Sequence, residues 1–300
     1  MSNPAIQPPP LNVLFPTLGG KQLWADEFVC EGWRIQQNVV SGHHRLLDDA
    51  DLRIAWGTWE HCKAHFDRIA AQRGFVKPDR HLVLLLHGIF RSKDSFGPMT
   101  RALRRAGYEA EAVNYPSTRR SLEEHAEQIE RILDRARHVS RVSFVCHSMG
   151  GIVARVLLGR QGAWRQRIQA HRLVMIATPN RGAEIAEHVW STGALAKLTS
   201  GPALRQLHRD RIGEVPLPDI PFATIAGSRG TPEGFNPLLP GDDDMTVTVE
   251  STRLEGAEDE LVVRATHTFV MIKPEVVVAV LRYLKTGRFH FEDDGLPEDP

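Results

Sequence analysis

A chain of 300 residues with 42% hydrophobic content can bury one sizeable core, and single α/β domains reach this length. Lys+Arg and Asp+Glu both number 37, a balance that argues against a nucleic-acid binder with its basic face. The longest apolar run, Val276–Leu281, is far short of the roughly 18 residues of a membrane span, and the start MSNPAIQPPP lacks a signal pattern, so a cytoplasmic protein with no integral membrane segment is expected.

The first ten residues hold four prolines and read as irregular. Strand-like runs follow around Phe28–Val40 and His44–Leu47, broken at Ser41-Gly42; Asp51 then reads as the N-cap of a helix near Leu52–Gln72, closed by Gly74. Residues 1–80 thus form an N-terminal extension, expected to lend antiparallel strands to a sheet edge.

From residue 81 strands and helices alternate. Leu82–Leu86 is a continuous apolar run, as in a parallel strand buried on both faces. Ser95–Ala106 reads as a helix ended by Gly107, and Glu109–Tyr115 as a strand. Leu122, Ala126, Ile129, Leu133 and Ala136 make one helical stripe. Then come Val142–Cys146 (strand), Gly150–Leu158 (helix) and the strands Leu173–Ala177, Phe222–Ala226 and Leu261–Val263. A last helix has Pro274 at its first position and Gly287 past its end. This order predicts a mostly parallel sheet with helices on both faces. The core is expected over 81–286, with a small helical cap at about 183–218 and an acidic tail over 287–300.

The chemistry concentrates at Arg141-Val-Ser-Phe-Val-Cys-His-Ser-Met-Gly-Gly151, where an apolar strand runs into Ser148 and small residues precede a helix. A nucleophile elbow needs this sequence, because the serine sits on a strained turn whose neighbours must be small. The G-x-S-x-G pattern has Cys146 in place of its first glycine, a small residue that still permits the turn. His87-Gly88-Ile89-Phe90 follows the Leu82–Leu86 strand directly. A turn there can aim an N–H at a reacting carbonyl, and the residue after the nucleophile supplies a second, so Ile89 and Met149 are the candidate oxyanion donors.

Serine needs a base, and the base an orienting acid, in the chain order serine, acid, histidine. Among fourteen histidines, His267 lies after Ser148 and directly after a strand-like stretch, Glu260–Thr266; His87 and His147 read as organisers of turns. Asp242, Asp243 and Asp244 are all possible acids, or together a solvated or calcium-holding turn. Asp244 is favoured because it abuts Thr246–Glu250, which alternates like a strand, whereas its two neighbours read as surface carboxylates. No metal-ligand spacing is evident, and Cys30, Cys62 and Cys146 include no CxxC pair and fit free thiols; no metal or cofactor is expected.

The pieces LLLHGIF, FVCHSMGG, MIATPNRGAE, DDDMTVTVES and THTFVMIKPEVVVAVLRYL resemble α/β-hydrolase lipases and esterases, including the PGAP1-like group of lipase-related hydrolases, over about residues 81–286. The resemblance implies the α/β-hydrolase fold and a Ser148–Asp244–His267 triad. It also implies a Thr-Pro-x-x-Gly turn, matched by Thr178–Gly182, and an Asp-Gly-x-Val acid segment, matched by Asp244–Val247 with Met245 in place of glycine. The expected activity is hydrolysis of a small-molecule ester or lipid. Thioesterase, amidase or acyltransferase chemistry would use the same groups, and a non-catalytic binding protein is the alternative of another class. Leu195, Leu198, Leu204 and Leu207 of the cap, with Phe235, Leu238 and Leu239, are expected to line an acyl-binding wall.

Overall fold

The structure, a computed structural model, describes residues 22–75, 77–182, 201–207 and 209–290. Its first part is a separate antiparallel sheet of β1 (Trp24–Cys30), β2 (Trp33–Asn38), β3 (His44–Leu47) and β4 (Arg53–Gly57), in that order, with α1 (Trp59–Arg73) packed on it. This corrects two expectations. The helix does not start at Leu52. Asp48 folds the chain into a tight turn by accepting the N–H groups of Ala50 and Leu52, at 3.0 and 2.8 Å, and Asp51 sits within that turn at φ 61°. Pairing with β3 then claims Arg53–Gly57, with Ala55 opposite Leu46. The helix is capped instead by the Thr58 hydroxyl, which accepts from the His61 N–H at 3.2 Å, and Gly74 closes it in the left-handed region.

Nor do these strands extend the main sheet as further paired strands; β1 lies beside it and against α3 (Leu122–Arg135). The joint is polar. Asp26 accepts from Arg34, Gln36 and the Asn114 N–H at 2.7–2.8 Å, while Glu27 takes Arg131 on two oxygens and Arg135 on one. Burial alone would raise the Glu27 pKa, but the two guanidinium groups hold it below the ordinary carboxylate value.

The main sheet contains β5 (Arg80–Leu86), β6 (Glu109–Val113), β7 (Val139–His147), β8 (Gln169–Ile176), β9 (Phe222–Ser228) and β10 (Asp259–Arg264). They lie side by side as β10-β9-β8-β7-β5-β6, all parallel. Along β5, Leu82, Leu84 and Leu86 enter one apolar cluster with Ile129 and Leu133 of α3 and Ile152 and Val153 of α4 (Met149–Leu158). Val83 and Leu85 enter the opposite cluster with Leu103 of α2 (Gly97–Arg105) and Val280 of the last helix (Pro274–Thr286). Helices on both faces explain why β5 reads as an unbroken apolar run.

Of the expected cap, Ala183–Ser200, with Leu195 and Leu198, lies outside the described residues, as does the acidic tail from residue 291. The remainder includes two short helices, α5 (Gly201–Gln206) and α6 (Arg209–Ile212), and Ala203, Leu207 and Ile212 are buried in the α3–α4 cluster. No helix among the described residues is long and apolar enough to cross a membrane.

Glu111 of β6 is fully buried where the two sheets meet, accepting from the Gly32 N–H at 2.7 Å and from Arg104 at 3.1 Å. Burial pushes its pKa up from 4.5 to about 7, against the pull of Arg104 and Arg34. The folded chain therefore holds this proton over a range in which the unfolded chain has lost it. Stability should fall as pH rises from about 5 to 7 and then level, by on the order of 3 kcal/mol for this group. Urea unfolding across that range should show this slope in the wild type and its loss in Glu111→Gln; equal slopes would refute the assignment.

Candidate active site

β7 delivers the chain to α4 through Ser148, held at φ 54° and ψ −127°. A non-glycine residue there is strained by about 1–3 kcal/mol, so its surroundings must impose the turn. The Ser148 N–H donates to Ile176 O at 2.9 Å, and the Gly151 N–H to Ser148 O at 3.0 Å. A Cβ on Gly150 would lie 2.2 Å from Leu86 O, and one on Gly151 would lie 2.2 Å from Thr178 Oγ1. One on Gly88 would sit 2.9 Å from Ser148 Cβ and 3.3 Å from its Oγ. Glycine is thus required after the serine and opposite it. Cys146 stands in register with Leu86 and Met175, wholly inside the α3–α4 cluster, and a small apolar side chain fills that place.

The chain passes from β5 to β6 on one side and to β7 on the other, so the ends of β5 and β7 frame the crevice where parallel α/β sheets receive ligands. Ile89 follows β5 and Met149 opens α4, whose first N–H groups have no intrahelical acceptor. Among the described residues no acceptor meets either N–H. The β5 loop is held firmly: the Phe90 N–H donates to Ser117 Oγ at 3.1 Å, and Phe90 itself has φ 60°. The His87 ring stacks on Tyr115 at 4.0 Å, its Nδ1 pairs with Gly88 O at 2.8 Å, and the Tyr115 hydroxyl donates to His87 O.

Two further loops meet beyond β9 and β10. His267 Nδ1 donates to Asp244 Oδ2 at 2.7 Å, and the His267 N–H donates to Asp244 O at 2.7 Å. Asp244 Oδ1 takes the N–H groups of Thr246 and Val247 at 2.9 and 2.7 Å. A carboxylate only 1% exposed thus has both oxygens engaged. Because a carboxylate accepts, the His267 proton sits on Nδ1, which leaves Nε2 without one. Gly227 makes the approach possible, since a Cβ there would lie 2.8 Å from both Asp244 Cβ and Ala265 O.

Asp244 meets His267, but it does not abut a strand. Thr246–Glu250 is no strand: residues 244–247 bend, and Val249–Thr252 form a short helix, α7, capped by Thr248. The last helix is then α8. Asp242 and Asp243 are not idle surface carboxylates either. Asp242 accepts from the Ser228 hydroxyl and the Arg229 N–H, at 2.7 and 2.9 Å, and buried Asp243 from the N–H groups of Asn236 and Met245. Met245, which stands where glycine is common, adopts φ 84° and bears the strain that glycine would avoid.

His147 plays a part the sequence does not disclose. Its Nε2–H donates to His267 O at 2.9 Å, and the two rings lie 4.7 Å apart. Burial and the neighbouring His267 hold its pKa well below the ordinary histidine value, so it stays neutral. Its position beside Ser148 was the available signal.

The family model described as "Domain of unknown function (DUF7379)" matches residues 52–201. No curated protein matches the chain. Among solved structures, the mature Bacillus licheniformis lipase BlEst2 is 18% identical with TM-score 0.54, over 70% of this chain and 91% of that one. A metagenomic carboxyl esterase is 19% identical with TM-score 0.51, over 69% and 76%. Phospholipase PlaB from Legionella pneumophila is 13% identical with TM-score 0.54, over 70% and 61%. At these identities the likeness concerns the fold, which is the α/β-hydrolase fold.

The crowding at the turn is testable. Gly150→Ala should destabilise the chain by ~1–3 kcal/mol, an overpacking cost. Gly213→Ala, where nothing lies within 4 Å of the added Cβ, should change little. Equal urea midpoints for the two variants would contradict the packing described.

Proposed function

The chain belongs to the DUF7379 family, and from that premise, its fold and the geometry above we propose that it is a serine hydrolase of carboxylic esters. The observation that carries the reading is the buried Asp244–His267 hydrogen bond of 2.7 Å, beside a serine held on a strained strand-to-helix turn. Asp244 fixes the imidazole tautomer, and Nε2 of His267 takes the Ser148 proton as Oγ attacks the acyl carbon. The N–H groups of Ile89 and Met149 receive the oxyanion. Collapse of the tetrahedral intermediate expels the alcohol, which takes the proton from His267. Water, activated by the same base, then releases the acid and restores Ser148.

An apolar acyl group suits the rim. Phe90, Leu238, Met245 and Phe269 are 51–66% exposed, and three of them lie within two residues of Ile89, Asp244 or His267. The nearness in sequence of three of them to the residues of the site supports an apolar substrate group. Kinship with the PGAP1-like lipase-related hydrolases rests on the motifs LLLHGIF and FVCHSMGG.

The test is steady-state hydrolysis of p-nitrophenyl esters of graded chain length by the full chain. Ser148→Ala should abolish turnover with an unchanged circular dichroism spectrum, and Asp244→Asn should lower kcat by about 10⁴ through the wrong tautomer. Turnover retained by folded Ser148→Ala would overturn the proposal.

A further inference from the structure

At the end of the main sheet opposite Ser148, where the parallel strands begin, three side chains from distant parts of the chain converge. Cys30 ends β1, Glu109 starts β6, and His138 immediately precedes β7. All three are buried, and one ligand atom from each lies within 4.8 Å of the others. We propose that Cys30, Glu109 and His138 bind a single zinc ion that fastens the N-terminal sheet to the main sheet.

The donor set favours this ion. Thiolate, imidazole and carboxylate together suit zinc rather than the oxygen-seeking calcium or magnesium. Around tetrahedral zinc, bonds of about 2.0–2.3 Å place ligand atoms about 3.3–3.6 Å apart. His138 Nε2 lies 2.9 and 3.0 Å from the two Glu109 oxygens and 3.9 Å from Cys30 Sγ, distances that bracket that spacing. Small rotations about side-chain bonds would bring the three to a common centre.

The surroundings also leave room for a cation. Burial chiefly, and then Glu109, Glu111 and Glu31, push the Cys30 thiol up, with Lys63 opposing them, and a cation held between these groups would reverse that push. Arg80 forms only a long ion pair with Glu109, its Nε 3.6 Å from Oε2, and that buried Nε has no hydrogen-bond partner among the described residues. On binding, the Cys30 thiol would release its proton to solvent, and the proton that His138 Nε2 donates to Glu109 would leave Nε2 while solvent supplies one to Nδ1, a tautomer change with no net proton that frees Nε2 for the metal. The Glu109 carboxylate would turn from Nε2 to the metal. Thiolate and carboxylate then balance the two positive charges, which favours a buried site. Three protein ligands leave a fourth position for water. No ligand spacing was visible in the sequence, because positions 30, 109 and 138 meet only through the packing of β1 on β6 and α3.

The experiment uses the full chain stripped with a chelator, titrated calorimetrically with Zn²⁺ and, in parallel, with Co²⁺ followed by absorption. His61 and His65 stand on neighbouring turns of α1 with ring centres 4.6 Å apart and could chelate zinc at the surface, so His61→Gln is a control. Cys62→Ser is a second. The expected result is one zinc per chain and a thiolate-to-cobalt charge-transfer band. Cys30→Ser should abolish the band, and Cys30→Ser, His138→Gln and Glu109→Gln should each weaken zinc binding at least tenfold, while both controls bind as the wild type does. Circular dichroism confirms folding of each variant, and three separate ligand variants guard against one that fails to fold. Three results would overturn the proposal: no zinc uptake by the folded wild type, wild-type affinity in folded Cys30→Ser, or loss of binding in His61→Gln.

Discussion

The structure is organised around a serine in a backbone conformation that it would not adopt alone. At φ 54° and ψ −127°, Ser148 is held by its N–H bond to Ile176 and by strands β5 and β8 closing on either side. A strain of about 1–3 kcal/mol is tolerable only against the packing of a whole domain, whose net stability is itself about 5–15 kcal/mol. That packing comes from β7, which pairs with β5 and β8 and buries side chains on both faces. Gly88, Gly150 and Gly151 follow from the same constraint, since a Cβ at any of them would meet atoms under 3 Å away.

A second constraint is electrostatic. Burying Asp244 removes the water that would solvate its charge, and the N–H groups of Thr246 and Val247, with His267, replace that water. The same arrangement sets the His267 tautomer, so the burial of Asp244 and the orientation of the imidazole have one cause. His147 ties the backbone of the His267 loop to the strand that ends at Ser148, and because it is buried and neutral it does so without adding a charge.

How much was legible from the sequence differs by the range of the interaction. Leu82–Leu86 announced a doubly buried strand because both its faces meet helices, and the places of Ser148 at the end of β7 and of His267 shortly after β10 were legible because each follows a strand-like run. The β4 strand was missed because its conformation depends on pairing with β3, whereas its residues also suit a helix. Thr246–Glu250 misled in the opposite sense: its alternating apolar residues serve a bend and the short helix α7, and Asp244 is fixed by backbone N–H groups that no side-chain pattern reveals. The roles of Asp242 and Asp243 were hidden for the same reason. Gly227 could not be singled out, since the need for it arises only when the Asp244 loop folds back on β9.

The central claim is that the strained turn and the Asp244–His267 pair together make Ser148 a nucleophile. The most direct measurement is covalent labelling of the native chain with a fluorophosphonate, followed by peptide mapping. One adduct per chain is expected, on Ser148, formed rapidly in the native chain and not after urea unfolding, when turn and pair are both lost. Absence of an adduct on the folded chain, or an adduct on another serine, would contradict it.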